Sequence, residues 1–138
     1  MLAPRRLSLK LVLSLITGVF ISLAANAGIA SSGDRVGDFA LLDHSGKFHQ
    51  LSYYGDYKAV VISAQGLSGA GLATDAANLT AVKSTLGKQD AKFFILNSLP
   101  ADGRDSVAAK ANELNLGIAI LLDPSQLVAE TLGVTRYE

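Results

Sequence analysis

The 138-residue chain contains no cysteine. That absence removes disulfides, thiolate metal sites and thiol nucleophiles together. It also lacks an excess of either charge. Twelve Lys and Arg balance twelve Asp and Glu, which argues against a nucleic-acid or polybasic membrane surface. The apolar fraction, 49% of residues, is too high for disorder, which needs low hydrophobicity and high net charge. A chain of this length makes one small domain.

The basic residues are unevenly placed. Arg5, Arg6 and Lys10 precede an apolar stretch from Leu11 to Leu23, and Ala25-Asn26-Ala27 follows. This is the order of a secretory signal peptide: positive region, apolar region, small-x-small cleavage site. The apolar stretch is short for a membrane span of about 20 residues. Residues 1–27 are therefore expected to be cleaved, and the product to be periplasmic or secreted. What remains is 111 residues with nine basic and twelve acidic side chains, net −3. Exported domains of this size often use disulfides. This one must rely on its core.

The Gly- and Ser-containing segment 28–36 reads as a flexible lead-in, and the domain as residues 37–138. Phe39–Leu42 and Phe48–Leu51 are short strand candidates, and Asp43-His44-Ser45-Gly46 between them is turn chemistry, so a β-hairpin is expected. An aromatic loop, Tyr53 to Tyr57, follows. Three continuous apolar runs come next: Ala59–Ile62, Phe93–Leu96 and Ile118–Leu122. Such runs fit strands buried on both faces.

Helical patterns separate the runs. Leu79, Val82 and Leu86 form one stripe, with Thr74 or Asp75 as N-cap and Gly87 as C-cap. Val107, Ala111 and Leu114 form a second, which starts near Asp105 and stops at Gly117. Asp123-Pro124 opens a third helix that buries Leu127, Val128 and Leu132 and ends at Gly133. The order ββ-β-α-β-α-β-α predicts right-handed parallel crossovers in a three-layer α/β sandwich.

Sites in parallel sheets form beyond the carboxyl ends of strands. Those ends carry Ser63, Asn97 and Asp123, and the first leads into Gly66-Leu67-Ser68-Gly69-Ala70-Gly71. Three readings of this loop compete. Dinucleotide binding is disfavoured, because G-x-x-G-x-G is not the required spacing and Asn97 stands where an acidic residue should meet the ribose. A serine-nucleophile elbow at Ser68 is disfavoured, because Ala70 replaces the second glycine and both histidines precede the serine. The remaining reading is a connection without chemistry. Asp43, His44 and His49 could suggest copper or zinc, but histidines on a hairpin usually face solvent, and no metal or other cofactor is expected. Lys83, Lys88, Asp90 and Lys92 read as a solvated charged face.

Taken in order, these segments resemble the thioredoxin-like redoxins, the alkyl hydroperoxide reductase and thiol-specific antioxidant family. Gly37 to Lys47 resembles the family's entry hairpin, and Lys58 to Ser63 the strand before its active-site loop. Phe93 to Asn97 and Ile120 to Pro124 resemble the next two strands. Leu127 to Thr135 resembles the helix and glycine-valine that precede the family's cis-proline. The resemblance spans nearly all of residues 34–136.

It implies a thioredoxin-like sandwich, with two departures. The family's catalytic cysteine would fall near Ser68 or Gly69, so Gly66, Ser68 and Gly69 mark a vestigial active-site loop. A serine hydroxyl does not supply the anion that a thiolate supplies. The family's final antiparallel strand pair and helix are also not found before Glu138. The resemblance then implies a fragment, a truncated product, or a chain that pairs its open edge, Ala59–Ser63, with a protein partner. The functional expectation is an exported redoxin-like domain without redox activity of its own. The alternative is a non-redox interaction module that pairs through that edge.

Overall fold

The computed structural model describes residues 33–67, 71–86 and 90–134. The signal-peptide reading, Ser68, Gly69 and Gly87 lie outside the described residues.

The hairpin forms as expected. β1 (Ala40–Leu42) pairs antiparallel with β2 (Phe48–Gln50), with Leu41 opposite His49. Its turn is built on Asp43. One carboxylate oxygen accepts the Ser45 N–H at 2.8 Å, the Ser45 hydroxyl at 2.6 Å and the Lys47 N–H at 2.9 Å. Gly46 adopts φ 86°, which a side chain would resist. Leu51, expected to end β2, instead opens a 3-10 helical turn, Leu51–Tyr54.

Three parallel strands make the main sheet: β3 (Ala59–Ala64), β4 (Ala91–Asn97) and β5 (Ala119–Leu122), in the order β3-β4-β5. β4 is central, which explains its apolar run; Phe93 to Asn97 are all buried. The hairpin turn covers the outer side of β5. There Asp43 bridges to Leu121, the His44 N–H donates to the Ile120 carbonyl at 2.9 Å, and the Ile120 N–H donates to His44 Nδ1 at 3.1 Å. β3 pairs only with β4 among the described residues.

Helices α1 (Leu72–Thr85) and α2 (Arg104–Glu113) pack on one face. Leu72, Ala76, Val107 and Ala111 meet Phe93, Ile95, Ile118 and Ile120 there. The hairpin and the short α3 (Leu127–Thr131) cover the other face, with Val128 and Ala129 against Phe94, Leu96 and Leu121. This is the predicted three-layer sandwich, and no antiparallel strand pair follows α3 among the described residues.

Several helix details differ from expectation. α1 starts at Leu72 behind Gly71, so Thr74 and Asp75 lie inside its first turn rather than capping it. Its buried stripe is Leu72 and Ala76 with Leu79 packed beside them, whereas Val82 and Leu86 are 49% and 40% exposed. α2 stops before Gly117. Asn115 adopts φ 50°, its N–H bonds to the Asn112 carbonyl, and the Leu116 N–H reaches the Ala111 carbonyl. That is the Schellman pattern, with asparagine in the left-handed position. In α3, Leu127 is 65% exposed and Ala129 takes the buried place. Gly133, at φ 72°, ends α3 by the same pattern, as expected.

Candidate functional site

The carboxyl ends of β3, β4 and β5 carry a buried polar cluster. Asn97, the last residue of β4, is 3% exposed. Its amide donates to Asp102 Oδ2 at 2.8 Å, and its Oδ1 accepts the Leu99 N–H at 3.2 Å. The same Asp102 oxygen accepts the Leu67 N–H at 2.9 Å. One carboxylate thus ties the loop after β3 to the loop after β4. Gly66 lies close against Leu99: a Cβ there would lie 2.3 Å from Leu99 Cδ1, so any larger residue would require that side chain to shift.

Asp123 is fully buried. It accepts the Ala129 N–H at 2.8 Å and the hydroxyls of Ser98 and Ser125 at 3.2 and 3.1 Å. It therefore holds the first turn of α3, but α3 starts at Leu127 behind Gln126 rather than at Asp123-Pro124 as expected, so Asp123 reaches the turn from outside the helix. Its own N–H donates to the Asn97 carbonyl at 2.8 Å, which joins the two strand-end positions. Ser63 stands apart, inside β3 opposite Ile95. Gln65 extends the cluster: its side-chain amide donates to Asp75, and its carbonyl oxygen is buried with no hydrogen-bond partner among the described residues.

The carboxylates at this end accept hydrogen bonds from backbone and neighbouring side chains, and the chain offers no thiolate to activate.

Sequence reasoning missed a second polar centre. His49 is 5% exposed, not solvent-facing. Its Nε2 lies 2.8 Å from Asp43 Oδ2 and its Nδ1 2.5 Å from the Tyr54 hydroxyl. The ring also stacks edge-on against Phe94, with centroids 5.1 Å apart. Burial alone would push the Asp43 carboxyl up. The hydrogen bonds from Ser45 and His49 and from the Lys47 and Ser45 N–H groups outweigh it and hold the group at about 2. Burial raises the Tyr54 hydroxyl. Lys92, expected on a solvated face, is half-buried, with Nζ 5.4 Å from the Tyr54 and Phe94 ring centroids, and burial lowers its pKa. Among the described residues, no group of three or more His, Cys, Asp or Glu side chains is placed to hold a metal ion. The available signal was the spacing of an Asp, a His and a Tyr around one hairpin.

Comparison with known proteins gives the fold its class. No protein-family model and no curated protein matches the chain. Solved structures do. A hypothetical protein from Sinorhizobium meliloti superposes with a TM-score of 0.64 at 24% identity, over 73% of this chain and 58% of that one. Peroxidoxin BcpB from Mycobacterium tuberculosis gives 0.63 at 23%, over 77% and 68%. A putative thiol:disulfide interchange protein DsbE from Chlorobium tepidum gives 0.64 at 15%, over 75% and 70%. The chain therefore has the thioredoxin-like α/β fold of the redoxins, which bears out the resemblance at the level of fold. It spans under three fifths of the length of the Sinorhizobium protein.

Proposed function

We propose that this chain is an exported thioredoxin-like domain that has lost thiol chemistry and acts by binding. One observation carries the reading: a fold shared with thiol oxidoreductases and peroxidases is built from a chain with no cysteine. The polar groups at the strand ends are engaged in holding loops, which fits a binding scaffold rather than a reaction centre. Export rests on the order of charge, apolar run and Ala25-Asn26-Ala27. The resemblance to a protein named as a thiol:disulfide interchange protein accords with an oxidising compartment.

The test has two arms. Cells expressing the full chain should yield exported protein that begins at Gly28. Recovery of membrane-held protein beginning at Met1 would overturn export. The purified domain should reduce neither peroxide nor insulin disulfides faster than buffer, and any catalytic turnover would overturn the loss of redox function.

A second reading, a protein-interaction module, draws on β3, which pairs only with β4 among the described residues. A sheet edge presents unpaired backbone groups to any extended strand.

A further inference from the structure

We infer that Tyr54 is a proton-coupled oxidation site: it gives one electron to a diffusible one-electron oxidant of the peroxyl-radical class as its hydroxyl proton moves to His49. The inference goes beyond the binding role proposed above, and its failure would leave that role untouched.

The direction of each hydrogen bond in the Asp43–His49–Tyr54 chain follows from the carboxylate. Asp43 is held ionised, at about 2, so it only accepts. Nε2 of His49, 2.8 Å from Asp43 Oδ2, therefore carries the ring proton. Nδ1 is left as an acceptor, and the Tyr54 hydroxyl donates to it across 2.5 Å. Burial raises the Tyr54 hydroxyl, so the phenol keeps its proton and is neither nucleophile nor base. The bond prepares a different event. A phenol that has lost an electron is a far stronger acid than a phenol, and a base already stands on its hydroxyl.

Charge favours moving the two particles together. Removing the electron alone would leave a positive ring with Lys92 Nζ 5.4 Å from its centroid, at a half-buried position. Low dielectric strengthens that repulsion. Passing the proton to His49 puts the new charge on an imidazolium beside the Asp43 carboxylate instead, so the buried ion is paired. In the step the Tyr54 O–H bond breaks, an N–H bond forms at Nδ1, and the oxidant gains one electron. A peroxyl radical becomes a peroxide anion, which water protonates to the hydroperoxide. One electron leaves each chain, so the step is not a turnover. Electrons cross short gaps without contact, and the Tyr57 ring, with its centroid 6.0 Å from that of Tyr54, extends the aromatic path. Among the described tyrosines, Tyr54 alone has a histidine partner. Tyr53 is 65% exposed and meets Phe48 edge-on.

Exposure and hydrogen bonding thus give opposite orders of oxidation. Peroxyl radicals from a water-soluble azo initiator should convert Tyr54 before Tyr53, read by peptide mass mapping; conversion of Tyr53 first would overturn the proposal. Flash-generated tris(bipyridyl)ruthenium(III) should give a fast tyrosyl radical that Tyr54→Phe removes and Tyr53→Phe keeps. His49→Gln retains an acceptor but not a base, and should slow the radical about 100-fold, the lower end for transfer to a positioned base. The unmodified protein should form it more slowly in deuterium oxide. Absence of a fast radical, or one that survives Tyr54→Phe, would overturn the site. Equal rates in His49→Gln or in deuterium oxide would overturn the transfer to His49. Where the far-UV spectrum shows His49→Gln unfolded, the deuterium arm decides.

Discussion

Asp43→Ala is expected to destabilise the fold by about 3–5 kcal/mol in urea unfolding, the range for removing one partner of a buried polar or charged pair. Asp43 is 4% exposed and receives four donors: the N–H and hydroxyl of Ser45, the Lys47 N–H and the His49 ring. Alanine leaves all four without their acceptor. It also loosens the turn whose backbone bonds to Ile120 and covers the edge of β5. Asp43→Asn keeps the shape and one acceptor oxygen, so its loss should be smaller. A loss under about 1 kcal/mol for the alanine variant would place the stability of the hairpin elsewhere.

The same carboxylate sets an acid limit. Its folded pKa, about 2, lies below the ordinary value of 3.8. The unfolded chain therefore binds this proton first as pH falls. The stabilisation is complete above about pH 4 and is lost as pH falls through about 2. The gap is worth roughly 2 kcal/mol. Between pH 5 and pH 2 the native protein should lose about that much more stability than Asp43→Asn, in which this group cannot titrate. Equal losses in the two proteins would refute the assignment.

The main sheet was legible because its signal is simple. Strands covered on both faces need continuous apolar runs, and Phe93–Leu96 and Ile118–Leu122 are such runs. The hairpin was legible as an element but not in its orientation. In β2 the hydrophobic order is inverted: Phe48 is 49% exposed while His49 is buried. Hydropathy cannot foresee that, because His49 is held inside by Asp43 and Tyr54, two partners that only the folded turn brings together. The phase of α1 slipped for a related reason. Leu79 belongs to two possible stripes, and its true companions, Leu72 and Ala76, precede the expected start. At the candidate site, Asn97 ends β4 and Asp123 follows directly on β5, positions that the ends of the apolar runs mark. Asp102 and Gln65 were not foreseen, since their roles depend on loops meeting across the end of the sheet.

Phe94→Ala is the other substitution expected to cost about 3–5 kcal/mol, from lost burial and the cavity left behind. Phe94 is 2% exposed, and its ring centroid lies 5.1 Å from that of His49 and 5.2 Å from that of Tyr54. It is the apolar floor under the Asp43–His49–Tyr54 chain, so its removal should do more than open a void. The milder variant Phe94→Leu, combined with Asp43→Asn, should show a coupling of about 0.5–3 kcal/mol, as contacting residues of one network do. Phe93 is the control. It is also buried, at 5% exposure, but it packs on the helical face of the sheet. Phe93→Leu combined with Asp43→Asn should therefore be additive within about 0.5 kcal/mol. Coupling at both phenylalanines would mean that the sheet transmits the change between its faces. Coupling at neither would mean that the polar chain and the aromatic floor stabilise the hairpin independently.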